Sequence, residues 1–272
     1  MSGISSKNNL GKQAGIPLRY ANGELALGAG VVGGKKSVRR VEDLNPVLFE
    51  SHPGQERPVY HVWRDLRQEK DADEIGRLKI RYDVTALLPE PIGKELPKTF
   101  GHYHVKDISG AMFPEVYAVL SGRAWWIIQR PKQNDPRTIE EAYLIEAQEG
   151  EKAIMPPGFG HITINPGPAP LILSNWIGDF FQYDYDTYEN LHGACYWAIE
   201  TNKDTAVAFE KNSFYYTVPE LTKLRPREIP RLGIMKKKPL YSLIENPKYL
   251  DFLVHPKQHR SELTIEACFR KV

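Results

Sequence analysis

The chain has 272 residues, 41% hydrophobic and 26% charged, which excludes bulk disorder and allows one large domain or two small ones. Lysine plus arginine exceeds aspartate plus glutamate only by 36 to 34, so charge argues for neither a nucleic-acid nor a membrane partner. No run of about 18 apolar residues could span a bilayer, the N-terminal segment lacks the apolar stretch of a secretory signal, and Cys195 and Cys268 form no CxxC pair, so a cytoplasmic chain without disulfides is expected.

Residues 1–34 are rich in Gly, Ser and Asn without a sustained period. They read as a flexible leader or arm that runs into a short strand near Glu24–Leu27. The basic run Lys35-Lys36-Ser37-Val38-Arg39-Arg40 is expected on a solvated face. From Val59 to about Glu200 the chain reads as short strands: Val59–Trp63, Leu78–Leu88, Thr99–His104, Val116–Leu120 and Ala124–Gln129. Tyr143–Ala147, Lys152–Met155, His161–Asn165, Leu171–Trp176 and Ala194–Ile199 follow. Gly, Pro, Asn or Asp bounds each of them. Ser121-Gly122 between two such runs is a hairpin signal. Strands without intervening long helical patterns predict an all-β jelly-roll barrel.

Beyond residue 201 the character changes. Lys223–Lys238 is basic and punctuated by proline, and reads as loop. Asn246-Pro247 looks like a cap and first helical residue, with Tyr249, Leu250 and Leu253 at helical spacing. This extension, 201–272, has too few apolar anchors for its own core and is expected to pack on the barrel or on a neighbouring subunit. Leaving its aromatic and leucine side chains bare would expose a large apolar patch.

Two motifs carry the chemistry. The first is Gly101-His102-Tyr103-His104, followed after ten residues by Glu115 and after six more by Gly122. Residues i and i+2 of a strand share a face, so His102 and His104 aim into one space while Tyr103 faces away. Glu115 precedes an apolar run and can enter from an adjacent strand. The second motif is Gly150-x5-Pro156-x-Gly158-x2-His161-x3-Asn165. Its Pro and Gly reverse the chain so that His161 opens the next strand as a third imidazole.

Together these motifs resemble the two-motif pattern of the cupin superfamily, with Leu96 where an early glycine is usual and a longer spacer before Glu115. Within it the chain is similar to the cupin-type glucose-6-phosphate isomerases. The likeness runs from about Gly34 to Tyr185, through Pro58-Val59-Tyr60, Tyr82-Asp83-Val84-Thr85, Ile92-Gly93-Lys94-Glu95 and Thr99-Phe100-Gly101-His102-Tyr103-His104. It continues in Pro114-Glu115-Val116-Tyr117 and Pro156-Pro157-Gly158-Phe159-Gly160-His161. The resemblance implies a cupin domain over 35–200 and a metal held by His102, His104, Glu115 and His161. It places a sugar phosphate against Tyr60, Thr85, Thr99 and the N–H of Gly101, with Tyr185 nearby and Tyr117 facing the substrate. Two positions depart from the family: Tyr183 stands where a histidine is frequent, and Ile177 replaces a tyrosine.

Three imidazoles and a carboxylate suit one divalent Fe, Mn, Ni, Co or Zn ion per chain. The activity implied is the metal-dependent interconversion of glucose 6-phosphate and fructose 6-phosphate, either by proton transfer through an enediol with Glu115 as base or by a hydride shift without one. A cupin dioxygenase with the same ligand set and a non-catalytic sugar-phosphate-binding cupin are the competing classes. A homodimer is expected, with the extension packed on the barrel exterior or across the two-fold axis.

Overall fold

The computed structural model describes residues 9–108, 110–201 and 206–272. Of the leader expected over 1–34, residues 1–8 lie outside the described residues.

Two sheets form the barrel. The first is six-stranded, in the order Lys152–Met155, Glu115–Ser121, Leu171–Gly178, Ile80–Leu87, Pro58–Arg64 and Lys35–Arg40. The second is five-stranded, in the order Gly160–Ile164, Arg123–Lys132, Asp135–Gln148, Thr222–Pro226 and Phe269–Lys271. From Glu115 to Gly178 the chain alternates between the sheets, apart from the hairpin that closes the second one. This crossing pattern makes a jelly roll rather than a meander. Trp126, Trp176, Tyr82, Leu44, Leu66 and Leu87 are all but inaccessible to solvent in the core between and around the sheets. Each such side chain contributes roughly 1.5–3 kcal/mol of burial.

The crossing corrects the hairpin expected at Ser121-Gly122. Glu115–Ser121 pairs with Lys152–Met155 and Leu171–Gly178, whereas Arg123–Lys132 pairs with Asp135–Gln148 and Gly160–Ile164. Gly122, at φ +92°, is the corner where the chain changes sheet. The true hairpin turns at Asn134 (φ +63°), one of the few non-glycine types that tolerate this region.

Other boundaries moved for local reasons. Leu78 ends a helix, Ala72–Leu78, and the strand begins at Ile80 after Lys79 caps that helix with φ +54°. The basic run is an edge strand, Lys35–Arg40, with Lys35, Lys36, Arg39 and Arg40 exposed as anticipated. Charges of this kind discourage edge-to-edge pairing. Residues 9–34 contain the Glu24–Leu27 strand, paired with Leu18–Ala21. Leu10, Ala14, Ile16 and Leu18 are buried, so this part of the expected arm is packed rather than free.

The extension packs on its own barrel. The stretch expected as loop from Lys223 instead opens inside a strand, Thr222–Pro226, which pairs in parallel with Tyr143–Ile145, because Leu224 completes the apolar face of the second sheet. Farther on, the Trp176 indole N–H donates to the Leu240 carbonyl at 3.0 Å. The Tyr241 ring packs 5.1 Å from Tyr82 and 5.4 Å from Trp176. Pro247–Leu253 starts after Asn246 as expected, but as a 3₁₀ helix. Of the extension's aromatics, Phe214 and Tyr216 remain exposed.

Candidate metal centre and substrate pocket

One pocket collects residues two apart from nearly every strand that reaches it. Pro58–Arg64 supplies Tyr60, Val62 and Arg64, Ile80–Leu87 supplies Asp83 and Thr85, and Glu115–Ser121 supplies Glu115 and Tyr117. Gly160–Ile164 adds His161 and Thr163, and Leu171–Gly178 adds Leu173 and Asn175. The spacing is the pleat of a strand, whose alternate side chains point to one face. Register aligns these inward positions across the sheet, with Asp83 opposite Asn175 and Asn175 opposite Tyr117.

His102 and His104 enter from the segment before Glu115. His102 makes an antiparallel bridge with His161: its N–H donates to the His161 carbonyl at 3.3 Å and its carbonyl accepts from the His161 N–H at 3.1 Å. Tyr103–His104 pairs with Tyr183–Asp184. Tyr103 points the other way, as the alternation required, and its hydroxyl accepts from the Gln129 amide at 2.7 Å. Gly101 has no substitute: at φ +88° a Cβ would stand 2.4 Å from Ile162 Cγ2 and 2.8 Å from the Tyr188 ring.

The ligand atoms of His102, His104, Glu115 and His161 lie within 4.8 Å of one another. Glu115 Oε2 is 3.4 Å from His104 Nε2, 3.4 Å from His161 Nε2 and 3.9 Å from His102 Nε2. His102 and His104 bring their Nε2 atoms to 3.3 Å. Ligands at about 2.0–2.1 Å from one ion stand about 3.0 Å apart at right angles and about 3.4 Å apart at the tetrahedral angle. The spacing therefore fits a common cation.

Three further observations favour that fit. Glu115 Oε2 is buried and accepts no hydrogen bond, a costly state for a carboxylate without a cation. Its other oxygen, Oε1, accepts from the Asn175 side-chain N–H at 2.7 Å. The His104 Nδ1–H donates to the Phe113 carbonyl at 2.7 Å, which leaves Nε2 as the lone-pair nitrogen facing the group.

Electrostatics agree. Burial and the neighbouring imidazoles push the His102 proton affinity well down, and burial lowers that of His161, so both rings are neutral. Three imidazole nitrogens and one carboxylate are the right donor set for a divalent first-row ion.

The pocket brings together every residue that the sequence proposed for substrate: Tyr60, Thr85, Thr99, Gly101, Tyr117 and Tyr185. Thr99 Oγ1 accepts from the Thr163 N–H at 2.9 Å, so its own proton is available to a ligand. The Tyr117 hydroxyl lies 3.2 Å from His161 Nε2, and burial, reinforced by Glu115, keeps that phenol protonated. Arg64, Asp83 and Asn175 escaped the sequence reading. The signal for Arg64 was present, because the period that aligns Tyr60 with Val62 reaches it next. Tyr183 also lines the pocket, its oxygen accepting from Arg81 at 2.8 Å and its ring 4.6 Å from that of His102. Ile177 is buried opposite Glu115 and does not line the pocket.

A jelly roll with three imidazoles and a carboxylate gathered between its sheets is a cupin, and the four residues could hold a metal ion. The family model described as Glucose-6-phosphate isomerase (GPI) matches residues 38–214. The chain belongs to the glucose-6-phosphate isomerase family. The glucose-6-phosphate isomerase of Pyrococcus abyssi is 30% identical over 183 residues, 65% of this chain and 87% of its own length. That of Thermococcus onnurineus is 31% identical over 155 residues, 55% of this chain and 73% of its own. Among solved structures, the oxalate decarboxylase of Lactobacillus farciminis aligns with 46% of this chain and 30% of its own at 18% identity and a TM-score of 0.33.

Proposed function

We propose that the chain is an aldose–ketose isomerase that interconverts glucose 6-phosphate and fructose 6-phosphate in glycolysis and gluconeogenesis, using one divalent Fe, Mn, Ni, Co or Zn ion held by His102, His104, Glu115 and His161. The observation that carries this reading is the convergence of three imidazole Nε2 atoms on the unpartnered Glu115 Oε2, in a pocket otherwise rich in hydroxyls. When bound, the ion polarises the oxygens on the first two carbons of the open-chain sugar.

The chain's own residues do the rest. Tyr60, Thr85, Thr99 and the Gly101 N–H bind the phosphate through hydroxyl and amide donors, with Tyr185 beside them. The Arg64 guanidinium, its Nη1 donating to Ser37 Oγ at 2.6 Å, adds a cation to the lining of the same pocket. Tyr117, kept protonated, donates to a substrate oxygen next to the reacting carbons. Glu115 would supply the negative charge of the ligand set. To act as a base toward the sugar it would need a free oxygen, and Oε1 is held by the Asn175 amide.

Residues 35–200 are taken as the isomerase domain, 201–272 as an extension clamped on it, and the working form as a cytoplasmic homodimer. Both cysteines, buried and unpaired, suit a reducing compartment. Among the described residues no helix is long and apolar enough to cross a membrane. Conversion of fructose 6-phosphate by chelated protein with single metals restored tests the activity. Sedimentation of the purified chain tests the dimer, and a sedimenting monomer overturns it.

A further inference from the structure

The extension builds a second cleft that the isomerase pocket does not use. Lys152, at the start of the Lys152–Met155 strand, lines it from the barrel side; Arg227, the segment 234–237 and Arg270 line it from the extension. Its volume is about 670 Å³, within the range of small-molecule sites.

Its charge is lopsided. Lys152, Arg227, Lys236, Lys237 and Arg270 line it against two carboxylates, Glu151 and Glu228. Both carboxylates are already engaged. Glu151 Oε2 accepts from the Gln148 N–H at 2.9 Å and its Oε1 faces Lys236 Nζ at 3.4 Å, while Glu228 Oε1 accepts from the Lys236 N–H at 2.5 Å. The Arg227 Nε–H donates to the Phe269 carbonyl at 2.7 Å, which fixes the guanidinium and leaves its terminal nitrogens for a ligand.

Lys152 is the built element of the cleft. It is only 6% exposed, and its ammonium donates to the Gly150 and Lys236 carbonyls, both at 2.9 Å. An ammonium has three protons, so one remains for a group in the cleft. Burial pushes this lysine down to about 8, Glu228 opposing and Lys236 adding to the effect; an anion in the cleft would relieve it.

We propose that this cleft binds a small, multiply charged phosphate anion, with Lys152 beneath it and Arg227, Lys237 and Arg270 around it. Guanidinium forks and ammonium groups together recognise phosphate oxygens, the arginines by geometry and the lysines as point charges. The site stands apart from the isomerase pocket, with which it shares no lining residue.

Trace acylation of lysines, read peptide by peptide by mass spectrometry with pyrophosphate as the probe, tests it on the full chain. Pyrophosphate should slow labelling of Lys152 severalfold. The double variant Lys237→Glu/Arg270→Glu should need about tenfold or more pyrophosphate for the same protection, with an unchanged circular dichroism spectrum and urea midpoint as evidence of an intact barrel. If the double variant fails to fold, Lys237→Ala alone should still weaken protection. Protection that is equal in the variants, or that chloride at matched ionic strength reproduces, overturns the proposal, as does Lys152 labelling that pyrophosphate leaves unaltered. A single-stranded oligonucleotide that protects Lys152 better than pyrophosphate, per phosphate, would assign the cleft to nucleic acid instead.

Discussion

Asn175 holds Glu115. The amide N–H of Asn175 donates to Glu115 Oε1 at 2.7 Å, and this bond turns Oε2 toward the three imidazoles. Asn175 sits opposite Tyr117 in the sheet and Glu115 opposite Ile177, so the pair meets on the diagonal between neighbouring strands. A position with no ligand atom of its own therefore orients the one anionic ligand.

Asn175→Leu removes that bond and leaves Glu115 Oε1 buried without a partner. Metal affinity should fall about ten- to a hundredfold, the usual consequence of losing a partner that orients a ligand. Metal content against a graded chelator measures it. Unchanged affinity would mean that the strand alone orients the carboxylate.

His161→Ala removes a ligand outright. The variant should lose its bound ion at chelator concentrations that leave the parent loaded, while its circular dichroism stays that of a folded barrel. The core around Trp126 and Trp176 is apolar and does not depend on the metal for its packing. Unfolding of the parent on chelation would instead identify a structural ion.

Thr85→Val and Thr99→Val test the phosphate grip. Each removes one hydroxyl from a charged oxyanion, a loss of roughly 1.5–3 kcal/mol, or on the order of ten- to a hundredfold in affinity. Neutral sugars should bind as before. Equal weakening of glucose and glucose 6-phosphate would remove these threonines from the phosphate site.

Asp83 gives the pH dependence of stability a sign. Burial raises its pKa to about 6 from the ordinary 3.8, against the opposing pull of Arg81 and the Asp65 N–H. Between those two values the folded chain holds a proton that the unfolded chain has released. Its contribution is therefore full below the lower value and is lost as pH rises through about 6. Melting temperatures of the parent relative to Asp83→Asn should fall across this window. A difference that stays flat or rises would contradict the assignment.

The extension was the least legible part of the chain. Barrel strands declared themselves through alternation and turn residues, and His102, His104, Glu115 and His161 through two spaced motifs and the family resemblance those motifs carry. Thr222–Pro226 did not, because its five residues carry Lys223, Arg225 and Pro226 and only Leu224 is buried. Its membership in the sheet comes from the long strand beside it, which a local pattern cannot reveal. Asp83 and Asn175 were invisible for a similar reason, since each reads as an ordinary polar strand residue until register places them side by side. Helix Ala72–Leu78 is too short for its period to stand out, with Ile75 its only fully buried residue.

Tyr241→Ala probes the clamp between extension and barrel. The ring packs against both Tyr82 and Trp176, and its hydroxyl accepts from the Gln68 N–H at 2.7 Å and donates to Asp71 Oδ2 at 3.0 Å. Truncation should cost roughly 3–5 kcal/mol, read as a shift of the urea midpoint without loss of metal. A shift near zero would show that the extension only rests on the barrel.

The most direct measurement is conversion of fructose 6-phosphate to glucose 6-phosphate by chelated protein, before and after single divalent metals are restored, for the parent and for His161→Ala. The stripped parent should be inactive, at least one of Fe, Mn, Ni, Co or Zn should restore turnover, and His161→Ala should stay inactive at metal concentrations that saturate the parent. Full activity in the chelated parent, or none with any of these metals in a folded, metal-loaded protein, would contradict the isomerase assignment.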